Sequence, residues 1–147
     1  MNMRSGINNI AVRSVVTALT LAAVILLSAC ATTSTASPGE LVRERAQARW
    51  DALLNGDFAT AYSYLSPGYR SATTVVDYEI EIRMRKVQYR TAEFQDYSCE
   101  ESICTVRLKI GYKIAKPVPG MANWESDDVV SEQWIKSDGN WWFLPQS

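Results

Sequence analysis

The chain has 147 residues, 15 Lys and Arg against 16 Asp and Glu, a formal net charge of −1, and no histidine. Balanced charge without a basic stretch excludes nucleic acid as a partner. The missing histidine excludes Ser-His-Asp and Cys-His arrangements, a His–Asp dyad and imidazole ligation of a metal. No glycine-rich phosphate loop occurs, and the acidic doublets Glu100-Glu101 and Asp127-Asp128 read as solvated charge in turns rather than as a calcium site. No cofactor and no metal is therefore expected.

The first segment is apolar. Residues 1–13 carry Arg4 and Arg13 and no acid, and 15–27 are almost purely aliphatic. This is the charged and hydrophobic pair of regions of a secretory signal, too short to span a bilayer comfortably. Leu27-Ser28-Ala29-Cys30 closes the run and resembles the lipobox of bacterial lipoproteins. The resemblance implies that Cys30 is acylated (palmitate being the typical chain) and becomes the new N-terminus after cleavage. Two or three chains on one residue hold a protein to a membrane far more firmly than one. Ala31 resembles the outer-membrane sorting choice of Gram-negative lipoproteins. The expected location is thus the bacterial cell envelope, anchored by lipid, at the outer membrane facing the periplasm in a Gram-negative host. Removing 1–29 takes away the two arginines and no acid, so the formal charge falls from −1 to −3.

Residues 31–39 (ATTSTASPG) form a small polar stretch that reads as a flexible tether. The division is then a signal at 1–29, the lipidated cysteine and linker at 30–39, and one domain at 40–147. Within the domain, 40–55 shows helical spacing, with Val42, Ala46, Trp50, Leu53 and Leu54 on one face and Arg43, Glu44, Gln47 and Asp51 on the other. Asn55-Gly56 ends it, and Asp57 caps a second helix carrying Phe58, Ala61, Tyr62 and Leu65. Ser66-Pro67-Gly68 is expected to stop that helix. Residues 74–86 fit both periods: Tyr78, Ile80, Ile82 and Met84 alternate as in a strand, whereas Val76, Ile80, Met84 and Val87 lie at helical spacing behind a Thr74/Asp77 capping box.

Residues 87–98 and 103–114 read as a hairpin, the second strand alternating Val106, Leu108, Ile110, Tyr112 and Ile114 with Thr105, Arg107, Lys109 and Lys113. Cys99 and Cys104 flank its turn. In an oxidising compartment that pair reads as a structural disulfide. A redox motif would want two intervening residues, and no further thiol or histidine is present to complete a zinc site. A long loop is predicted over 115–128. A second hairpin, 129–136 with 140–145, turns at Asp138-Gly139, which suits a type I′ turn and sets Ile135 opposite Trp142 and Trp134 opposite Phe143.

Three stretches in this order, ARWDALLNGD (48–57), AYSYLSPGYR (61–70) and WIKSDGNWWF (134–143), resemble the nuclear transport factor 2-like superfamily, also called the ketosteroid-isomerase-like cone fold. The resemblance covers about 40–145. It implies an α+β fold in which N-terminal helices pack on a curved antiparallel sheet around a conical pocket, and it favours a helix over 74–86. The superfamily includes isomerases, dehydratases, transport factors, assembly modules and domains without known activity, so the fold leaves function open. Trp50, Tyr62, Tyr112 and Trp134 are the candidate pocket lining, with core packing as the alternative for each. Asp77 and Asp96, with Tyr62, Tyr78 and Tyr112, supply the residue types of an isomerase site, but none aligns with a catalytic position, so no catalytic residue is named. The reading is a non-catalytic, membrane-anchored envelope lipoprotein whose cone binds a small apolar ligand or an envelope protein. The alternatives are a small isomerase- or dehydratase-like enzyme, or an accessory subunit of an envelope complex that uses its sheet face to form a homodimer.

Overall fold

The computed structural model describes residues 36–114 and 123–146. The predicted signal segment, Cys30, most of the tether and 115–122 of the predicted loop lie outside the described residues. Helix α1 (Pro38–Leu54) starts inside the predicted linker, because Ser37 accepts from the Glu40 amide at 3.2 Å and Pro38 occupies the first turn, where no donor is needed. The linker therefore loses Pro38 and Gly39 to the helix. Gly39 is buried because the Tyr97 ring lies where a Cβ would stand.

At the far end of α1 the chain turns through Gly56 at φ +73°, and Asp57 accepts from the Thr60 amide at 3.0 Å to open α2 (Phe58–Ser63). That amide holds the Asp57 carboxyl below the usual carboxylate range. Ser66-Pro67-Gly68, expected only as a stop, opens a third helix, α3 (Pro67–Ala72), with Ser66 accepting from the Tyr69 amide at 3.3 Å. This is the Ser-Pro cap of α1 used a second time. The period-2 alternation after Thr74 is helical: α4 (Val75–Met84) is opened by a complete capping box, Thr74 Oγ1 accepting from the Asp77 amide at 3.2 Å and Asp77 Oδ2 from the Thr74 amide at 3.3 Å.

Four antiparallel strands follow, β1 (Val87–Glu100), β2 (Ile103–Ile114), β3 (Trp124–Ser137) and β4 (Asn140–Leu144), paired in chain order. Cys99 and Cys104 stand opposite one another and are disulfide-bonded. The second turn has Asp138 at φ 51° and Gly139 at φ 76°, and pairs Ile135 with Trp142 and Trp134 with Phe143. β3 begins earlier than predicted. Residues 124–128 are not loop but strand, and their acids face lysines of β2: Asp127 meets Lys109 at 2.9 Å and Glu125 meets Lys113 at 3.8 Å. The Asp127-Asp128 doublet thus sits in a ladder rather than a turn. With Asp96–Arg107 these pairs make the outer sheet face a polar, cross-strand ion-pair surface.

Val106, Leu108, Ile110 and Trp134 on the inner face pack against Val42, Ala46, Trp50 and Leu53 of α1 and Ala61 and Leu65 beyond it. Two register shifts in β1, at Tyr89/Thr91 and Phe94/Asp96, bend the sheet around the helices. Gly111 stands opposite Thr91 at the first of them. The chain is thus α+β, with helices packed on a curved antiparallel sheet, the cone arrangement that the sequence resemblance implies.

A Cβ at Gly111 would collide with the Thr91 hydroxyl. Gly111→Ala is expected to cost about 1–3 kcal/mol in urea unfolding. Adding Thr91→Ala removes the collision and should restore most of that loss, whereas two simply additive losses would mean that the contact is not tight.

Candidate functional site

Between α1, α3, α4 and the inner face of β1, β3 and β4 lies a cavity of about 530 Å³. Its walls are mainly Trp50, Leu53, Leu65, Ile82, Val130 and Phe143, with Arg49, Tyr69, Tyr78, Glu81, Arg85, Tyr89 and Glu132 as the ionisable groups. This size and lining suit a small organic ligand.

Glu132 is a buried charge, 4% exposed. Arg49, also 4% exposed, donates Nη2 to its Oε1 in an ion pair, Trp50 Nε1 donates to the same oxygen at 2.7 Å, and Trp134 Nε1 donates to Oε2 at 3.2 Å. The chain places these groups by simple periodicity. Arg49 falls seven residues after Val42 on the apolar stripe of α1, and Glu132 alternates with Val130 and Trp134 on the inner face of β3. The guanidinium centre also lies 4.1 Å from the Phe143 ring centroid, a cation–π contact in a desolvated place. A carboxylate that accepts three donors and faces a cation is held as a structural acceptor.

At the rim, Arg85 donates to Glu81 Oε1 at 2.6 Å and to the Tyr89 hydroxyl at 3.2 Å. Burial alone would lower the Arg85 pKa, but these two bonds reverse the effect and raise it. Desolvation, reinforced by the negative charge of Glu81, pushes the Tyr69 phenol up. Tyr78 projects from α4 and is 5% exposed. Desolvation pushes its phenol up, against the nearby charge of Arg49. The guanidinium lies close enough for a hydrogen bond to the phenol to oppose that rise as well, while Arg49 Nε and the Tyr78 hydroxyl are buried without a partner of good geometry.

Of the four candidate lining residues, Trp50 alone lines this cavity. Trp134 is fully buried behind the wall, hydrogen-bonded to Glu132 and packed on Phe143. The Tyr62 hydroxyl donates to the carbonyl of Thr73 at 2.7 Å, clamping the segment between α2 and α4. Tyr112 is half-buried on β2, opposite Tyr89 and Ser126, outside the lining. Asp77 is spent in the α4 cap. Asp96 faces outward, where the Arg107 guanidinium holds its carboxyl below the usual range. Glu132, absent from the sequence candidates, is the acid buried in the wall. The signal was available: a charged residue on each of two otherwise apolar faces. Among the described residues, no three His, Cys, Asp or Glu side chains are grouped as a metal would require.

No family model matches the chain, and no curated protein does. Solved structures do. The solution structure of a SEC-C motif containing protein from Rhodopseudomonas palustris is 18% identical, with a TM-score of 0.50, covering 66% of this chain and 70% of that one. A crystal structure from Campylobacter jejuni described as an NTF2-like transpeptidase is 12% identical, with a TM-score of 0.48, covering 71% of this chain and 98% of that one. At such identities the likeness concerns the fold alone.

Breaking the buried pair by Glu132→Ala should cost about 3–5 kcal/mol in urea unfolding, since Arg49 is left charged and buried and two indole N–H groups lose their acceptor. The double change Arg49→Met with Glu132→Leu should cost well under the sum of the single losses. Additive losses would show that the pair is not coupled.

Proposed function

We propose that this protein is a lipid-anchored component of the bacterial envelope whose cone binds a small, mostly apolar ligand without transforming it. The observation that carries the ligand reading is the cavity itself, about 530 Å³, walled by aromatic and aliphatic side chains, with both of its carboxylates engaged in ion pairs. A general base has to stand within hydrogen-bond reach of the proton it takes and have a lone pair to spare. Glu132 already accepts from Arg49, Trp50 and Trp134, and both oxygens of Glu81 already accept, from Arg85 and Tyr69, so each carboxylate is engaged in the wall rather than presented to the cavity as a free base. The polar outer sheet face, with its ladder of ion pairs, favours binding inside the cone over assembly through an apolar sheet surface. The envelope anchor rests on the lipobox-like sequence ending at Cys30.

Two measurements test the two halves. Cys30→Ser should abolish incorporation of a tagged fatty acid in growing cells; undiminished label in the variant would remove the anchor. The full chain in lipid nanodiscs should give saturable fluorescence enhancement with N-phenyl-1-naphthylamine, an uncharged apolar probe, above an empty-nanodisc blank. Ile82→Trp, which puts an indole into the cavity, should weaken that binding about tenfold or more. Equal enhancement in the two proteins would place the probe elsewhere and count against the cone as its site.

A further inference from the structure

Most cations of this domain face an acid, and two that do not are grouped. Of the eight arginines among the described residues, five stand in ion pairs; Arg45, Arg70 and Arg90 do not. Arg45 and Arg70 lie against one indole. Trp142 of β4 alternates with Trp141 and Phe143, which turn toward the core. Its ring centroid is 5.5 Å from the Arg45 guanidinium centre and 4.9 Å from that of Arg70. The two charges therefore stand within about 10 Å of one another, about one Debye length at 0.1 M salt. Arg45 is fixed further, its Nε donating to the Trp141 carbonyl at 2.8 Å and its guanidinium centre lying 5.0 Å from the Tyr64 ring centroid. The terminal nitrogens of both guanidinia have no partner among the described residues and are open to solvent; only Arg70 Nε is buried without one. None of these side chains lines the cavity.

We infer that the two guanidinia on Trp142 form a second binding site, outside the cone, for a group carrying two negative charges: a phosphate monoester or a diphosphate. The inference rests on neither the cavity nor the anchor. Two neighbouring cations without an acid repel one another, in a domain whose formal charge is otherwise −3 after removal of 1–29. An anion between them turns that repulsion into attraction. Stacking occupies the face of a guanidinium and leaves its N–H edge free, and that edge matches phosphate oxygens. Because Trp142, Tyr64 and the Trp141 carbonyl already hold the side chains, little rotamer freedom remains to be lost on binding. A phosphate monoester carries about −1.5 to −2 at pH 7 and answers both cations, whereas a carboxylate or a phosphodiester answers one. Burial without an acid pulls the Arg45 pKa down, against the Tyr64 phenol, and a bound dianion would reverse that shift.

Such a group arrives in solution or as a lipid headgroup, and one set of titrations separates the two. The full chain in phosphatidylcholine nanodiscs is titrated with inorganic pyrophosphate and, separately, with acetate, and the arginine Nε ¹H–¹⁵N signals are followed. With pyrophosphate, Arg45 and Arg70 should shift together and saturate at one affinity, while Arg107, paired with Asp96, stays in place. Acetate should bind about tenfold more weakly or worse. Arg70→Gln should weaken pyrophosphate binding, read at Arg45, about tenfold or more, with the Trp50 and Trp134 indole signals unmoved as the sign that the variant is folded. Nanodiscs containing phosphatidate, whose headgroup is a phosphate monoester, supply the second arm. The same two signals displaced there without added pyrophosphate identify a membrane-borne group, and displacement by pyrophosphate alone identifies a soluble one. No shift in either arm, equal shifts at Arg107, acetate binding as tightly as pyrophosphate, or an affinity unchanged by Arg70→Gln each overturns the inference.

Discussion

Glu132 joins α1 to β3, and the cone depends on that junction. A carboxylate taken out of water is tolerated only when its lone pairs and its charge are answered. Here α1 answers with a guanidinium and an indole from neighbouring positions, Arg49 and Trp50, and β3 answers with the indole of Trp134 two residues along. The partners in the ion pair are 83 residues apart in sequence, so the contact fixes the helix on the sheet at one position. Hydrophobic burial could be satisfied by several registers of α1 on the sheet, but this network is satisfied by one.

The same network sets what the cavity can do. Because its cations and anions neutralise one another locally, the interior presents aromatic and aliphatic surface with little net field. The sheet contributes in the opposite sense on its other side. Arg107, Lys109 and Lys113 of β2 each find an acid on a neighbouring strand, and the inner face lines the cavity. The bulges in β1, with Gly111 opposite Thr91, curve the sheet enough for a cavity to remain between the layers.

Much of the frame was legible because it is encoded locally. The apolar stripe of α1, the Asn55-Gly56 turn, the Asp57 and Thr74 caps, and the Asp138-Gly139 turn that pairs Ile135 with Trp142 all depend on residues within a few positions of one another. The misses have two physical causes. Ser66-Pro67-Gly68 stops one helix and starts the next with the same residues, and the acids of 124–128 look like loop until the lysines of β2 are set beside them. The site suffered most, since a charge is buried only when its partner is present and that partner is remote in sequence. Reading each element alone, Arg49 and Glu132 are each a lone charge on an apolar face with nothing local to say that the two pair, and Tyr62, Tyr112 and Trp134 pass for pocket aromatics.

The most direct test is an amide and indole ¹H–¹⁵N spectrum of the full chain in nanodiscs, recorded with and without an uncharged apolar probe such as 2-acetylnaphthalene. If the cone is the binding site, the signals of Trp50, Tyr78, Ile82 and Val130 shift together and saturate at one affinity, while those of Arg107 and Lys109 on the outer face stay in place. Shifts confined to the outer sheet face, or a spectrum that does not change at saturating probe, would contradict a ligand-binding cone.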